Sequence, residues 1–120
     1  MKYLKSYRDL IVWQKSMDLA VQIYEITQNF PAAEKFGIIS QMRRAATSIP
    51  ANITEGQARR TTGEFLQSLG IARGSLAELE TFVMLSVRLH YLTPISSESI
   101  LSNCTEISKM LRSLMQSLSH

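Results

Sequence analysis

The chain has 120 residues, 45% hydrophobic and 19% charged, enough for one domain with a real core and too few for two. A net charge of +3 is mildly basic and by itself implies no nucleic-acid partner. Three prolines and five glycines exclude a disordered or all-β chain, and a single cysteine, Cys104, excludes an intrachain disulfide.

The opening MKYLKSYRDL soon meets Asp9, Gln14, Lys15 and Asp18, so it is not read as a signal peptide. No window approaches the roughly 18 apolar residues of a membrane span, and a soluble cytoplasmic protein is expected. The first helix is predicted from about Asp9 to Asn29. Leu10, Trp13, Met17, Val21 and Tyr24 form one stripe, and Val12, Leu19, Ile23, Ile26 and Phe30 form a second. At about 100° per residue the two stripes are centred nearly opposite each other. An apolar arc that wide describes a helix buried on two sides. The second stripe, with Val12, Leu19, Ile23 and Ile26, is expected to supply part of a subunit contact.

Phe30-Pro31 stops this helix, because the residue before proline is pushed out of the α region. The second helix is predicted from about Ala33 to Gln57. Ile38, Met42, Ala45, Ala46, Ile49 and Ile53 keep three-and-four spacing across Pro50. A proline inside a helix removes a donor and clashes one turn back, at about 3 kcal/mol or more. A stripe that holds phase through it predicts one helix kinked at Pro50. Asn52 and Glu55 are spaced to satisfy the groups the proline frees, in particular the carbonyl of Ala46.

Thr61 followed by Glu64 matches a capping box and starts the third helix, about 62–90. Its stripe is Phe65, Leu69, Ala72, Leu76, Leu79, Val83 and Val87. Gly70 and Gly74, with Ala77 nearby, make a small-residue patch on one face. It is read as close packing inside one bundle in preference to an oligomer contact. Tyr91 to Ser97 is a turn, after which either Thr93 with Pro94 or Ser96 caps the fourth helix, about 96–118. Ile100, Cys104, Ile107, Leu111, Leu114 and Leu118 form a heptad seam, and Cys104 on it reads as a small buried hydrophobe. Four similar helices with short connections predict an all-α, antiparallel up-down-up-down four-helix bundle.

Catalytic chemistry lacks its parts. His90 and His120 are the only histidines, and neither follows a glutamate at di-iron spacing. No serine has a neighbouring base, and no P-loop is present. Glu78 and Glu80 point about 200° apart on a helix. No enzyme, metal or cofactor is therefore expected. Charge is more informative. Between Lys35 and Arg60 lie five cations, Lys35, Arg43, Arg44, Arg59 and Arg60, against Glu55 alone. That excess is larger than the net charge of the whole chain. It describes either a phosphate-binding surface or a solvated face.

Three stretches carry a family resemblance: DLIVWQKSMDLA (9–20), FPAAEKFGIISQMRRAATSIPANITEG (30–56) and FLQSLGIARGSLAELET (65–81). As a set they resemble the small bacterial four helix bundle proteins first noticed as products of intervening sequences within large-subunit ribosomal RNA genes. They are also similar to the accessory variability determinant of diversity-generating retroelements. The match covers about residues 7 to 118. The resemblance implies a four-helix bundle assembled as a ring-like homopentamer. It also implies nucleic-acid binding through a basic surface, with a reverse transcriptase as partner in the retroelement relatives. At +3 this chain is less basic than those relatives. Two readings follow. One is an oligomeric helical-bundle adaptor that binds RNA or DNA non-specifically through Lys35, Arg43, Arg44, Arg59 and Arg60. The other is a structural or protein-interaction module with no nucleic-acid role.

Overall fold

In the computed structural model, residues 6–119 are described. Part of the opening segment and His120 thus lie outside the described residues, as do the readings that rest on them. Four helices account for the fold: α1 Ile11–Thr27, α2 Ile38–Ala58, α3 Thr62–Arg88 and α4 Pro94–Leu118. Short 3-10 turns at Tyr7–Asp9 and Ala32–Glu34 precede α1 and α2. No strand occurs among the described residues.

Side-chain pairs fix how the helices run. Trp13 Nε1 donates to Thr54 Oγ1 at 3.0 Å, and Arg43 Nε donates to Thr27 Oγ1 at 2.9 Å. The start of α1 thus meets the end of α2, and the reverse holds at the other end. Ser48 meets Ser75, and the Ser86 hydroxyl reaches Met42 Sδ, so α2 and α3 also run in opposite directions. Gln22 meets Ser99, and Lys15 pairs with Glu106, which sets α4 against α1 in the same way. Each helix packs on two neighbours, and the diagonal pairs α1/α3 and α2/α4 make no close approach. The bundle measures 45 × 25 × 20 Å.

The ends of the helices follow local chemistry. The Thr61 hydroxyl accepts from the Glu64 amide at 3.1 Å and starts α3. The Thr93 hydroxyl accepts from the Ser96 amide at 3.0 Å, with Pro94 in the first turn, so α4 begins two residues before the expected 96. α3 ends on His90, the one non-glycine residue with positive φ (64°) among those described. The His90 amide donates to Val87 O and the Tyr91 amide to Ser86 O. That pair of bonds is a Schellman closure, a position that favours glycine.

α2 departs from expectation at its start. The sequence predicts helix from Ala33, but the chain makes a 3-10 turn and then enters α2 through Gly37. Glu34 explains the break. Its Oε2 accepts from the Tyr91 hydroxyl at 2.7 Å, and its Oε1 lies 3.5 Å from the Ile38 amide. A Cβ on Gly37 would lie 2.5 Å from that same Oε1. A side chain at this position would have to push the carboxylate out of its place between the turn and the helix. α2 then runs unbroken through the buried Pro50. Asn52 Nδ2 donates to Ser48 O at 2.8 Å and so serves Ser48, not the Ala46 carbonyl expected from spacing. Glu55 pairs with Arg59 instead.

The core joins all four helices, with Leu19, Ile23, Met42, Ile49, Ile53, Leu69, Leu76, Leu79, Ile100, Ile107 and Leu111 almost wholly enclosed. Two expectations need correction here. Val12, Leu19 and Ile23 are 4%, 1% and 0% exposed within a single subunit, and Ile26 packs half-buried against the core. Val12, Leu19 and Ile23 face the bundle interior and are not available as a subunit contact, and Ile26 lies at the edge of the same core. The outward stripe is the other one, with Met17, Val21 and Tyr24 exposed. The inner face of α1 also carries Ser16 and Thr27. Their hydroxyls donate to Val12 O and Ile23 O at 2.7 Å each, which makes the burial tolerable. The second correction concerns Gly70 and Gly74. A Cβ on either would meet nothing within 4 Å, so no helix of the bundle packs there. Close approach occurs at Gly56 instead, where a Cβ would lie 2.7 Å from Ser68 Cβ.

Candidate nucleic-acid interface

The Gly37 break turns the segment before α2 outward and gathers its cations around a cleft. Lys35, Phe36, Ile39, Ser40, Arg43, Arg44 and Thr47 line it, with Tyr24 of α1 opposite. The cleft is open and holds about 350 Å³. Arg43 is fixed in place. Its Nε donates to Thr27 Oγ1, its Nη2 donates to Tyr24 O at 3.3 Å, and its guanidinium lies 4.5 Å from the Tyr24 ring centroid. Thr27 Oγ1 accepts this bond while donating its own proton to Ile23 O. Every one of these partners is uncharged, so none of them offsets the positive charge of Arg43. Arg44, about 100° further round the helix, is exposed. Lys35 Nζ stands 5.5 Å from the centroid of the Phe36 ring.

No carboxylate lines this cleft. The ion pairs among the described residues involve Lys15 and Arg59, and none involves Lys35, Arg43 or Arg44. Three cations and two aromatic rings therefore face one space without a compensating anion. Planar guanidinium groups so placed suit phosphate, which they hold by paired N–H bonds.

The five cations expected from the sequence do not form one patch. Arg59 and Arg60 stand at the far end of α2, about 22 Å from Arg44 along the helix at 1.5 Å per residue. Arg59 is tied to Glu55 at 2.6 Å and lies 3.9 Å from Glu64. Its pKa is raised, first by the hydrogen bond to Glu55. The guanidinium stays charged, but the two carboxylates beside it offset its field. Arg60 is exposed beside it, over a smaller cleft shared with Thr61, Phe65 and Leu118. The structure thus brings Lys35, Arg43 and Arg44 together and separates Arg59 and Arg60 from them.

Sequence reasoning missed Phe36 as part of this site. The residue is 88% exposed, the largest value among the exposed apolar side chains. A signal was present. Phe36 falls outside the three-and-four spacing that Ile38, Met42, Ala45, Ala46, Ile49 and Ile53 keep.

A second surface feature lies between α1 and α2. Trp13, Met17, Ala20, Val21, Tyr24, Pro50, Ala51 and Thr54 line an apolar groove of about 480 Å³. The Trp13 indole is held by Thr54 and by the Tyr7 ring, 5.3 Å between centroids. Elsewhere the molecule offers little chemistry. Among the described residues no group of three or more His, Cys, Asp or Glu is placed to hold a metal ion. No helix there is long and apolar enough to cross a membrane. Cys104 is buried, and burial foremost, then Glu80, pushes its thiol up to about 12.

Comparison with known proteins agrees with this architecture. A crystal structure from Bacteroides thetaiotaomicron VPI-5482, described as a protein with unknown function from the S23 ribosomal protein family, is 34% identical with a TM-score of 0.79. The match covers 88% of this chain and 98% of that one. No curated protein sequence matches it. Residues 8–113 match the family described as 23S rRNA-intervening sequence protein. With that match over most of its length, and a four-helix fold shared with an S23 relative, the chain belongs to the 23S rRNA-intervening sequence protein family.

Proposed function

We propose that this protein is an oligomeric helical-bundle adaptor of the cytoplasm that binds nucleic acid non-specifically through the cleft at the head of α2. One observation carries the reading: Lys35, Arg43 and Arg44 line a single cleft that contains no carboxylate. One subunit offers three cations there, too few for tight binding. An oligomer repeats the cleft and multiplies the contacts. Two outer faces support association. α1 presents Met17, Val21 and Tyr24, and α3 presents Gly70, Gly74 and Ala77 beside the exposed Ile71. The two faces differ, so pairing one with the other would be head-to-tail, an arrangement that forms a ring when the rotation between subunits closes.

The test is salt-dependent binding to labelled RNA. Binding near about 50 mM salt and its loss by about 200 mM are expected, with a slope of about −0.7 per phosphate contact on a single strand. Lys35→Ala and Arg44→Ala each reduce the slope in this reading, whereas Arg59→Ala changes it little because Glu55 already holds that charge. Absence of binding by the intact assembly at low salt would leave the alternative, a structural or protein-interaction module. The apolar groove between α1 and α2 favours that second reading. Light scattering that finds a monomer at micromolar concentration would remove the oligomer from either reading.

A further inference from the structure

We propose that Phe36 is a stacking platform for an unpaired base, which makes the cleft a site for single-stranded nucleic acid. This rests on the nucleic-acid reading above and narrows it to one class of ligand. A phenylalanine ring left in water forgoes the burial that usually places it in a core. Phe36 is 88% exposed in a subunit whose other three phenylalanines are buried or half-buried. It is not loosely placed. The Gly37 amide donates to Glu34 O at 2.9 Å, and the Lys35 amide donates to Ala32 O at 3.1 Å. Those bonds hold the backbone on both sides of the ring.

The surroundings say what the ring meets. Lys35 lies near its face, and Arg43 and Arg44 line the same cleft. A strand whose phosphates lie on these cations carries its bases within reach of the ring. Every base has a π-face, so stacking needs no particular sequence. A duplex keeps its bases stacked inside and offers the cleft phosphates alone. An anionic membrane fits less well, because surface helices that enter the headgroup layer bury a continuous apolar face. Here a single ring stands among cations.

The experiment compares labelled oligouridylate with RNA duplex of equal length by fluorescence anisotropy at about 50 mM salt. The wild-type protein should bind the single strand more tightly. Phe36→Ala should weaken single-strand binding roughly fivefold or more, the usual effect of removing one stacking ring. It should leave duplex binding and the salt slope unchanged. Phe36→Trp should restore binding, and its added indole emission should be quenched by oligouridylate, with the wild-type Trp13 signal as reference. If the wild type binds both probes and Phe36→Ala binds oligouridylate equally well, the stacking proposal falls while the nucleic-acid reading stands. If neither probe binds, both fall. A Phe36→Ala protein with fewer subunits by light scattering would make Phe36 a subunit contact and overturn the proposal. So would binding to phosphatidylserine vesicles in place of either RNA.

Discussion

Gly56 and Gly74 both lie inside helices, yet alanine should have opposite effects at the two positions. At Gly56 the new Cβ would stand 2.7 Å from Ser68 Cβ, 2.8 Å from Phe65 Cδ1 and 3.3 Å from Phe65 O. Carbon atoms pack at about 3.5–4.0 Å, so α2 and α3 must part by roughly 1 Å. The carbonyl and the Cβ belong to α3 itself and cannot rotate away. Overpacking of this kind costs about 1–3 kcal/mol. Alanine recovers about 0.5–1 kcal/mol of helix propensity, which leaves a net loss of roughly 1 kcal/mol and at most about 2.5 kcal/mol. For a chain of this size that is a fall in Tm of about 3–10 °C. At Gly74 the Cβ meets nothing within 4 Å, so only the propensity gain remains, about 0.5–1 kcal/mol of added stability. Urea unfolding followed by far-UV circular dichroism measures both, at several protein concentrations because association adds to apparent stability. A Gly56→Ala protein as stable as the wild type would refute the close approach of α2 and α3. A Gly74→Ala protein that gains no subunit stability would refute the open face of α3. Loss of subunits in that variant would identify the face as an intersubunit contact.

Three further outcomes are expected. His90→Gly should stabilise the fold by about 1 kcal/mol, because His90 holds a positive φ that costs an L-residue about 1–2 kcal/mol; an unchanged midpoint in urea would contradict this. Leu19→Asp should unfold the subunit and not merely dissociate an oligomer, because it places a charge where exposure is 1%; a folded monomer by circular dichroism and light scattering would reverse that conclusion. Cys104, with its thiol pushed up to about 12 by burial, should react with a disulfide reagent at pH 8 (roughly) only when the protein opens. Rapid native-state labelling would show the thiol to be accessible.

The helices were legible because their signals are local. The seam of α4 repeats every three and four residues, and Ile100, Cys104, Ile107 and Leu111 are all buried. Thr61 and Thr93 cap the helices that follow them, as their hydroxyl chemistry predicts. The register of α2 across Pro50 was equally readable. The inward side of α1 was not. Both of its stripes are apolar, and the buried one contains Ser16 and Thr27, whose polarity hides in bonds to their own helix. Hydropathy alone cannot rank two such faces. The cleft was half legible. Its cations stand out in the sequence, but their grouping depends on the Gly37 break. That break depends in turn on Glu34 meeting Tyr91, 57 residues away. Arg59 shows the opposite limit: its charge is visible in the sequence, and Glu64 beyond the next connection helps to mask it.

The bond between Glu34 and Tyr91 reaches further than the two residues it joins. Phe30 lies 5.4 Å from the Tyr91 ring between centroids, so the α1–α2 connection is fastened to the α3–α4 turn by a ring contact as well as a hydrogen bond. Connections in small bundles are ordinarily where local opening begins. Fastened in this way, these two should open as one cooperative unit. Amide exchange at Gln41, whose N–H is bonded to Gly37 O, should therefore rise and fall together with exchange at Tyr91 and Leu92, bonded to Ser86 O. Tyr91→Phe should separate the two rates. The segment that carries Lys35 and Phe36 is then held ready by a distant turn, and whatever occupies the cleft meets a surface that has already lost its conformational freedom.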